Sequence, residues 1–272
     1  GLECLRMAIL HEFSIGRARV VYTDRRDGSG RSVFCGANLS FRVGDVPEAV
    51  LENRYLIAQK LGVGHQWFEV VQVHGNAVAD APKDWQRFKC STAPAPEKPG
   101  KLGNLAGLKA DAIVTTAALT PVAIFVADCV PLAMGSCDPP GIAVVHAGWR
   151  GLVSGVVEAA AAQLQEKTGG IDWAIAGPSI GPCCYRVEKD RLDLFEERFG
   201  RNCVDRNRSS LDMHAAVVRA LESRNRRPLG VISLGPCTAC SDQLYSYRRD
   251  GPRTGRQALI AWIVEEKQND EK

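Results

Sequence analysis

Three nearly uninterrupted apolar runs in the middle of the chain, ADAIVTT from Ala110, PVAIFVADC from Pro121 and GIAVVHAGW from Gly141, constrain the fold more than anything else in it. Each has the length of a strand, and their β-branched content argues for strand over helix. A strand with one wet face interleaves polar residues with apolar ones; these runs do not, so they belong to sheet that is covered on both faces. The cover is legible nearby. VPEAVLENRYLIAQKLGV carries helical spacing, with Pro47 and Glu48 in its first turn and Gly62 past its end. An Ala-rich stretch from Leu152 to Lys167, stopped by Gly169 and Gly170, predicts another helix, as do Glu188 to Phe199 and Leu211 to Arg224.

Further strands are predicted at Ala18 to Thr23, in FEVVQVHG ending near His74, in WAIAGPSIGP, in GVISLGP and in the closing QALIAWIV. SYRRDGPRTGR reads as an arginine-rich turn, and residues 81–109, with APAPEKPGK, as a long loop excursion. No repeat or composition break divides the chain. The expectation is one α/β domain over residues 1–272, a mixed sheet with flanking helices and a metal site at strand ends.

Composition narrows the function classes. Lys plus Arg number 34 against 31 Asp plus Glu, which gives no basis for nucleic-acid or membrane-surface binding but leaves room for a small anionic substrate. No run approaches the roughly 20 apolar residues of a bilayer span, and the opening GLECLRMAILHEF has no signal-like core. A cytoplasmic protein is expected. In a reducing compartment the 10 cysteines stay thiols, read for the most part as small buried apolar residues.

Two histidines stand out among the 5: His74 in VHG and His146 in VHAGW each close an apolar run, while Cys129 closes a third in VADC. Two imidazoles and one thiolate suit Zn²⁺ and leave its fourth position open, the pattern of a catalytic rather than a structural site. The plainer reading makes both histidines core residues bonded to backbone, and the spacing matches no established zinc signature. Copper competes for the same donors. So does a cysteine hydrolase, with Cys129 as a nucleophile activated by either histidine.

With NLSFRVGD and EAVLENR before them, the segments VHG, ADAIVTT, VADCVPL, HAGWRG, GPSIGPCCYRV and SYRRDGPRTGR resemble, in this order, the YfiH-like laccase-domain proteins, once called multicopper polyphenol oxidases. The resemblance covers about Tyr22 to Gln257. It implies a zinc-dependent purine nucleoside phosphorylase, acting on adenosine, inosine and methylthioadenosine with phosphate and also deaminating adenosine. The zinc ligands it implies are His74, Cys129 and His146. It adds Asp128 as an acid/base or a carboxylate orienting a ligand histidine, and Asn38, Arg25 and Arg248 as contacts to nucleoside or phosphate. One departure is Arg186 in CCYRV, where a glutamate is expected, a charge reversal placed beside the cleft.

A multicopper oxidase needs a histidine-rich trinuclear cluster supplied by H-x-H motifs, and this chain has none. A single-copper phenol oxidase and a non-catalytic binding member remain as alternatives. PCTAC holds the P-C-x-x-C half of the nucleobase-deaminase signature, but no upstream H-x-E accompanies it. A second zinc site or redox pair at Cys183, Cys184, Cys237 and Cys240 is weighed against buried thiols. Because adjacent cysteines fit a zinc knuckle poorly, buried thiols are expected.

Overall fold

A computed structural model of the chain describes residues 8–83, 107–223 and 229–266. Most of the 81–109 excursion and Arg224 therefore lie outside the described residues. The strands are β1 (Ile9–Ile15), β2 (Ala18–Thr23), β3 (Val78–Asp80), β4 (Ala112–Thr115), β5 (Val122–Val126), β6 (Val130–Cys137), β7 (Pro140–Ala147), β8 (Trp173–Ala176), β9 (Val204–Asp205), β10 (Ser210–Leu211), β11 (Val231–Ser233) and β12 (Gln257–Ile263). The helices are α1 (Pro47–Leu61), α2 (Trp149–Val153), α3 (Val156–Thr168), α4 (Lys189–Phe199), α5 (Met213–Glu222) and the single turn α6 (Tyr247–Asp250).

The fold is mixed α/β, and its strands divide between two main sheets. One is antiparallel, in the order β1-β2-β12-β5; the other is mixed, in the order β11-β8-β6-β7-β4-β3, with β3–β4 and β11–β8 parallel. Period-2 alternation explains how one strand serves two cores. In β7, Ala143 and Val145 face α3 and α5, whereas Ile142 and Val144 face the other sheet. In β5, Val122 and Ile124 face that same inter-sheet core, while Ala123 and Phe125 pack toward Ile57 of α1 and Trp67. Sheet faces are covered by helix or by sheet, which is why the central runs show no polar alternation. Each Val, Leu or Ile buried this way contributes roughly 1.5–3 kcal/mol.

Tyr22 pins the two sheets together. Its hydroxyl donates to the Ile175 carbonyl at 2.7 Å, and its ring passes so close to Gly177 that a Cβ there would stand 2.3 Å from it.

Several local expectations change. FEVVQVHG makes only isolated bridges, Phe68 to Val122 of one sheet and Val71 to Lys109 beside the other, because this segment crosses between the sheets and cannot stay in one ladder. The predicted Leu152–Lys167 helix is two helices, broken where Gly155 takes a left-handed φ of 85°. The SYRRD turn winds into α6, capped by Ser246, whose side chain accepts from the Arg249 N–H. No helix among the described residues is long and apolar enough to cross a membrane.

Candidate metal centre

His146 lies in phase with Ile142 and Val144, so β7 aims its imidazole into the space between the sheets. Cys129 sits in the connection from β5 to β6, three residues past the strand rather than at its end. His74 stands in the segment that crosses between sheets, at a left-handed φ of 61° that a non-glycine residue rarely adopts. The ligand atoms of the three lie within 4.8 Å of one another, with His74 Nε2 at 3.9 Å from Cys129 Sγ and the imidazoles edge to face at 4.7 Å.

Asp111 builds this geometry, and sequence reasoning passed over it. The β4–β7 register pairs Ala112 with Val145, which sets Asp111 opposite His146; the His146 N–H donates to the Asp111 carbonyl at 2.7 Å. The side chain reaches further. His146 Nδ1–H donates to Asp111 Oδ1 at 2.8 Å, and the backbone N–H groups of Val73, His74 and Gly75 donate to the same carboxylate at 3.2, 2.8 and 2.7 Å. Four donors match the acceptor capacity of a carboxylate. One fully buried acid thus fixes the tautomer of His146, leaving Nε2 for a ligand, and holds the His74 segment in its unfavourable backbone conformation.

The charges agree with this arrangement. Burial opposes ionisation of Asp111, but the hydrogen bonds from His146 and the Gly75 and His74 backbone hold it below the usual carboxylate range. Burial likewise would raise the Cys129 thiol, yet the His146 charge and hydrogen bonds from both imidazoles bring it down to about 6. Against its own burial, His146 is lifted to about 9 by the Cys129 thiolate and by Asp111.

The donor set fits a zinc ion. With bonds of about 2.0–2.3 Å, a tetrahedral site separates sulfur and nitrogen ligands by about 3.6 Å, a few tenths of an ångström inside the observed 3.9 Å. The space is kept for it: a Cβ on Gly148 would stand 2.9 Å from Cys129 Sγ and 3.0 Å from the His74 ring. A copper cluster does not fit. His214 is bonded to the Gly177 carbonyl, His65 meets Tyr55 edge to face and His11 lies beside Phe13, so only two histidines converge.

The centre opens on a cavity of about 500 Å³, within the ~300–1,000 Å³ usual for small-molecule sites. Arg42, Arg150, Arg191, Arg248 and Arg256 line it, together with Tyr185 and Phe125. Trp149 carries Arg150 and Arg191 over its ring at 4.6 and 4.2 Å. Of these arginines the sequence pointed only to Arg248, whose Nη1 donates to the Cys184 and Arg186 carbonyls. Asp128 also lines the cavity, at a φ of 94°; its oxygens accept from Thr238 Oγ1 at 2.6 Å and the Arg248 N–H at 2.7 Å. It meets no ligand histidine, a contact that Asp111 makes instead.

Asn38 and Arg25 do not line the cavity. Asn38 is fully buried and occupied, donating to Asp45 and to the Ser40 carbonyl and accepting from the Ser40 and Arg256 N–H groups, so it shapes the loop that carries Ser40 and Arg42. Arg25 lies over the Tyr245 ring and 3.9 Å from Asp250. Arg186 is exposed and outside the lining; only its backbone carbonyl serves the site. The charge reversal therefore does not face the cavity. The cysteines are mostly not buried either. Among the described residues Cys203 is the buried one, whereas Cys35, Cys137, Cys183 and Cys240 are exposed.

Comparison with known proteins places this site in context. The family model described as multi-copper polyphenol oxidoreductase laccase matches residues 19–264. A purine nucleoside phosphorylase of Corynebacterium glutamicum is 32% identical over 260 residues, covering 91% of this chain and 95% of that protein. One from Xylella fastidiosa, strain Temecula1, is 34% identical over 249 residues, covering 88% and 90%. Among solved structures, a DUF152-family protein of Neisseria meningitidis is similar with a TM-score of 0.78 at 26% identity, covering 95% of this chain and all (100%) of that one. YlmD from Geobacillus stearothermophilus superposes with a TM-score of 0.80 at 23% identity over 95% and 100% of the two chains, a likeness of fold.

Proposed function

This chain belongs to the multi-copper polyphenol oxidoreductase laccase family, and from that premise we propose that it phosphorolyses purine nucleosides at a zinc centre formed by His74, Cys129 and His146. The observation that carries the reading is the convergence of those three donors, backed by Asp111, on the floor of an arginine-lined cavity. The curated relatives named purine nucleoside phosphorylase support the substrate class. The family's copper name finds no support in the donors, since a polyphenol oxidase of that type needs more converging histidines than this chain has.

In this reading the cavity arginines do the binding. Phosphate is a multiply charged anion, and guanidinium forks such as those of Arg150, Arg191 and Arg256 bind it through charge-assisted, bidentate hydrogen bonds. Held there, an oxygen of hydrogen phosphate attacks the anomeric carbon of the ribose while the bond to the purine nitrogen breaks and that nitrogen takes up the proton the phosphate loses; orientation with electrostatic stabilisation carries much of the rate. Tyr185 and Phe125 offer apolar faces to the base. Asp128, held by Thr238 and the Arg248 backbone, retains acceptor capacity and is assigned to receive the N–H edge of the departing base. When bound, zinc supplies Lewis-acid polarisation of a substrate oxygen or nitrogen. Arg25 and Asn38 act only indirectly, through the loops they brace.

A product assay on adenosine, run with and without phosphate, tests this. Adenine and ribose 1-phosphate that appear only with phosphate are expected; inosine marks the deaminase activity that the resemblance also implies. Cys129→Ala should lose this metal and turnover together, and full turnover in that variant would refute the proposal.

A second reading has one observation behind it. Cys129, lowered to about 6 beside a positively charged His146, is a thiolate–imidazolium pair of the kind used by cysteine hydrolases. The second imidazole, from His74, favours a metal. Iodoacetamide alkylation of Cys129 that saturating zinc does not slow would favour the hydrolase. Stoichiometric copper with phenol oxidation would favour the single-copper oxidase, and zinc-loaded protein inert toward nucleosides would favour a binding role.

A further inference from the structure

We propose that Cys183, Cys184, Cys237 and Cys240 bind a second ion, a structural Zn²⁺ held by four thiolates, which clamps together two turns behind the substrate cavity. The four sulfur atoms lie within 4.8 Å of one another, with Cys240 Sγ at 3.7 Å from Cys183 Sγ and 3.4 Å from Cys184 Sγ. Zinc–sulfur bonds of about 2.3 Å set tetrahedral sulfurs about 3.8 Å apart, whereas a disulfide needs about 2.05 Å. The spacing is that of a metal site.

Topology explains why residues so far apart in sequence meet. β8 and β11 are parallel neighbours, with Ala176 paired to Ser233, so the segments leaving their C-terminal ends emerge side by side. The first becomes the GPCC turn, in which the Cys184 and Tyr185 N–H groups donate to the Gly181 carbonyl at 3.0 Å. The second becomes the single 3₁₀ turn Thr238–Cys240. The Gly181 N–H donates to Cys237 Sγ at 3.2 Å, linking the two turns through a sulfur acceptor. Adjacent cysteines looked unsuited to a zinc knuckle, but the tight turn at Cys183–Cys184 lets both thiols face one point, and C-x-x-C supplies the opposite pair. Nor are these core thiols: Cys183 and Cys240 are exposed, and Cys184 and Cys237 half-buried.

The clamp bears on the cavity. Thr238, inside the C-x-x-C turn, donates to Asp128 Oδ1, and Arg249 Nη1 donates to the Thr238 carbonyl at 3.1 Å. Arg248 Nη1 donates to the Cys184 and Arg186 carbonyls on the other turn. Fastening the turns to each other therefore fixes the groups that hold Asp128 and Arg248, without any of the four cysteines touching the cavity. Binding is a simple exchange: each thiol gives its proton to solvent as its sulfur coordinates, with no electron transfer.

Metal analysis of the full chain, purified under reductant and loaded with zinc, decides the matter. About two zinc ions per chain are expected in the wild type and about one in Cys237→Ser/Cys240→Ser. Cys129→Ala should also hold about one, and the triple variant almost none. Cobalt substitution of the unmutated chain supplies a readout that does not depend on variant folding. Intense tetrathiolate charge-transfer absorption is expected, retained in Cys129→Ala and lost in the double serine variant. A wild type that holds one zinc, lost with Cys129→Ala and unaltered by Cys237→Ser/Cys240→Ser, overturns the proposal. So does a disulfide among the four cysteines found by thiol counting in the metal-loaded protein. Failure of nucleoside turnover leaves either result readable, since the count at the four cysteines is independent of the reaction.

Discussion

The two cysteine-bearing clusters of this protein are built in opposite ways. His74, Cys129 and His146 meet at the end of the space between two sheets, on residues whose positions are set by the β4–β7 ladder and by the buried carboxylate of Asp111. Cys183, Cys184, Cys237 and Cys240 meet beyond the C-terminal ends of β8 and β11, on two short turns. Three mixed donors beside a cavity leave a coordination position for substrate; four thiolates close the shell and leave none. On the two proposals, one chain separates metal chemistry from metal bracing: a rigid ladder gives precise open donors, while a closed sulfur site substitutes for secondary structure where little exists.

Asp111→Asn should break the first cluster most severely. It keeps the size of the side chain but removes the charge that fixes the His146 tautomer, so zinc affinity at the open centre should fall about 10–100-fold. Competition with a chromophoric chelator measures this, and the proposed four-cysteine ion should be unaffected. Equal loss from both clusters would erase the distinction between them.

Arg256→Ala should act next, on substrate rather than metal. Removing one charge-assisted phosphate contact, worth about 1.5–3 kcal/mol, should raise the KM for phosphate roughly tenfold or more while zinc content stays constant. Initial-rate kinetics with varied phosphate decide it; an unchanged KM would remove Arg256 from the anion site.

A third test uses the charges of the open cluster in chelated protein. A thiol depressed to about 6 adds stability above its ordinary pKa and loses it as pH falls through that value; a histidine raised to about 9 adds stability below its ordinary pKa and loses it as pH rises through about 9. The pair is therefore intact between these limits. Cys129 of the metal-free wild type should therefore react with iodoacetamide at a rate that rises through about pH 6 instead of through the ordinary thiol range. A rate that rises only through the ordinary thiol range would show that the pair is not formed.

The smallest effect is expected from Arg186→Glu. Its side chain is exposed and outside the cavity, so kcat/KM for nucleoside and metal content at both clusters should stay within about twofold. A larger change would mean that the charge reaches the site by a route other than contact.

Much of this molecule was legible in the chain itself, because apolar periodicity is local. The central runs announced doubly covered strands, Pro47 and Gly62 bracketed α1, and the donor types of His74, Cys129 and His146 marked a candidate metal site. The Leu152–Lys167 stretch was read as one helix because its spacing continues across Gly155, whose left-handed φ is a property of the folded backbone.

What only the tertiary structure decided depends on register and convergence, which no local pattern encodes. ADAIVTT displayed Asp111, but nothing in it said that β4 would slide against β7 until that acid faced His146. The cavity arginines come from separate stretches of chain, and only their placement shows that Arg150 lines the cavity and Arg25 does not. Asn38, which the resemblance offers as a contact to nucleoside or phosphate, lies buried with hydrogen-bond partners already supplied. The four cysteines looked like core thiols until parallel β8 and β11 delivered their turns to one point. Sequence sets which donors exist and which segments form strands; the pairing of distant strands sets which donors meet.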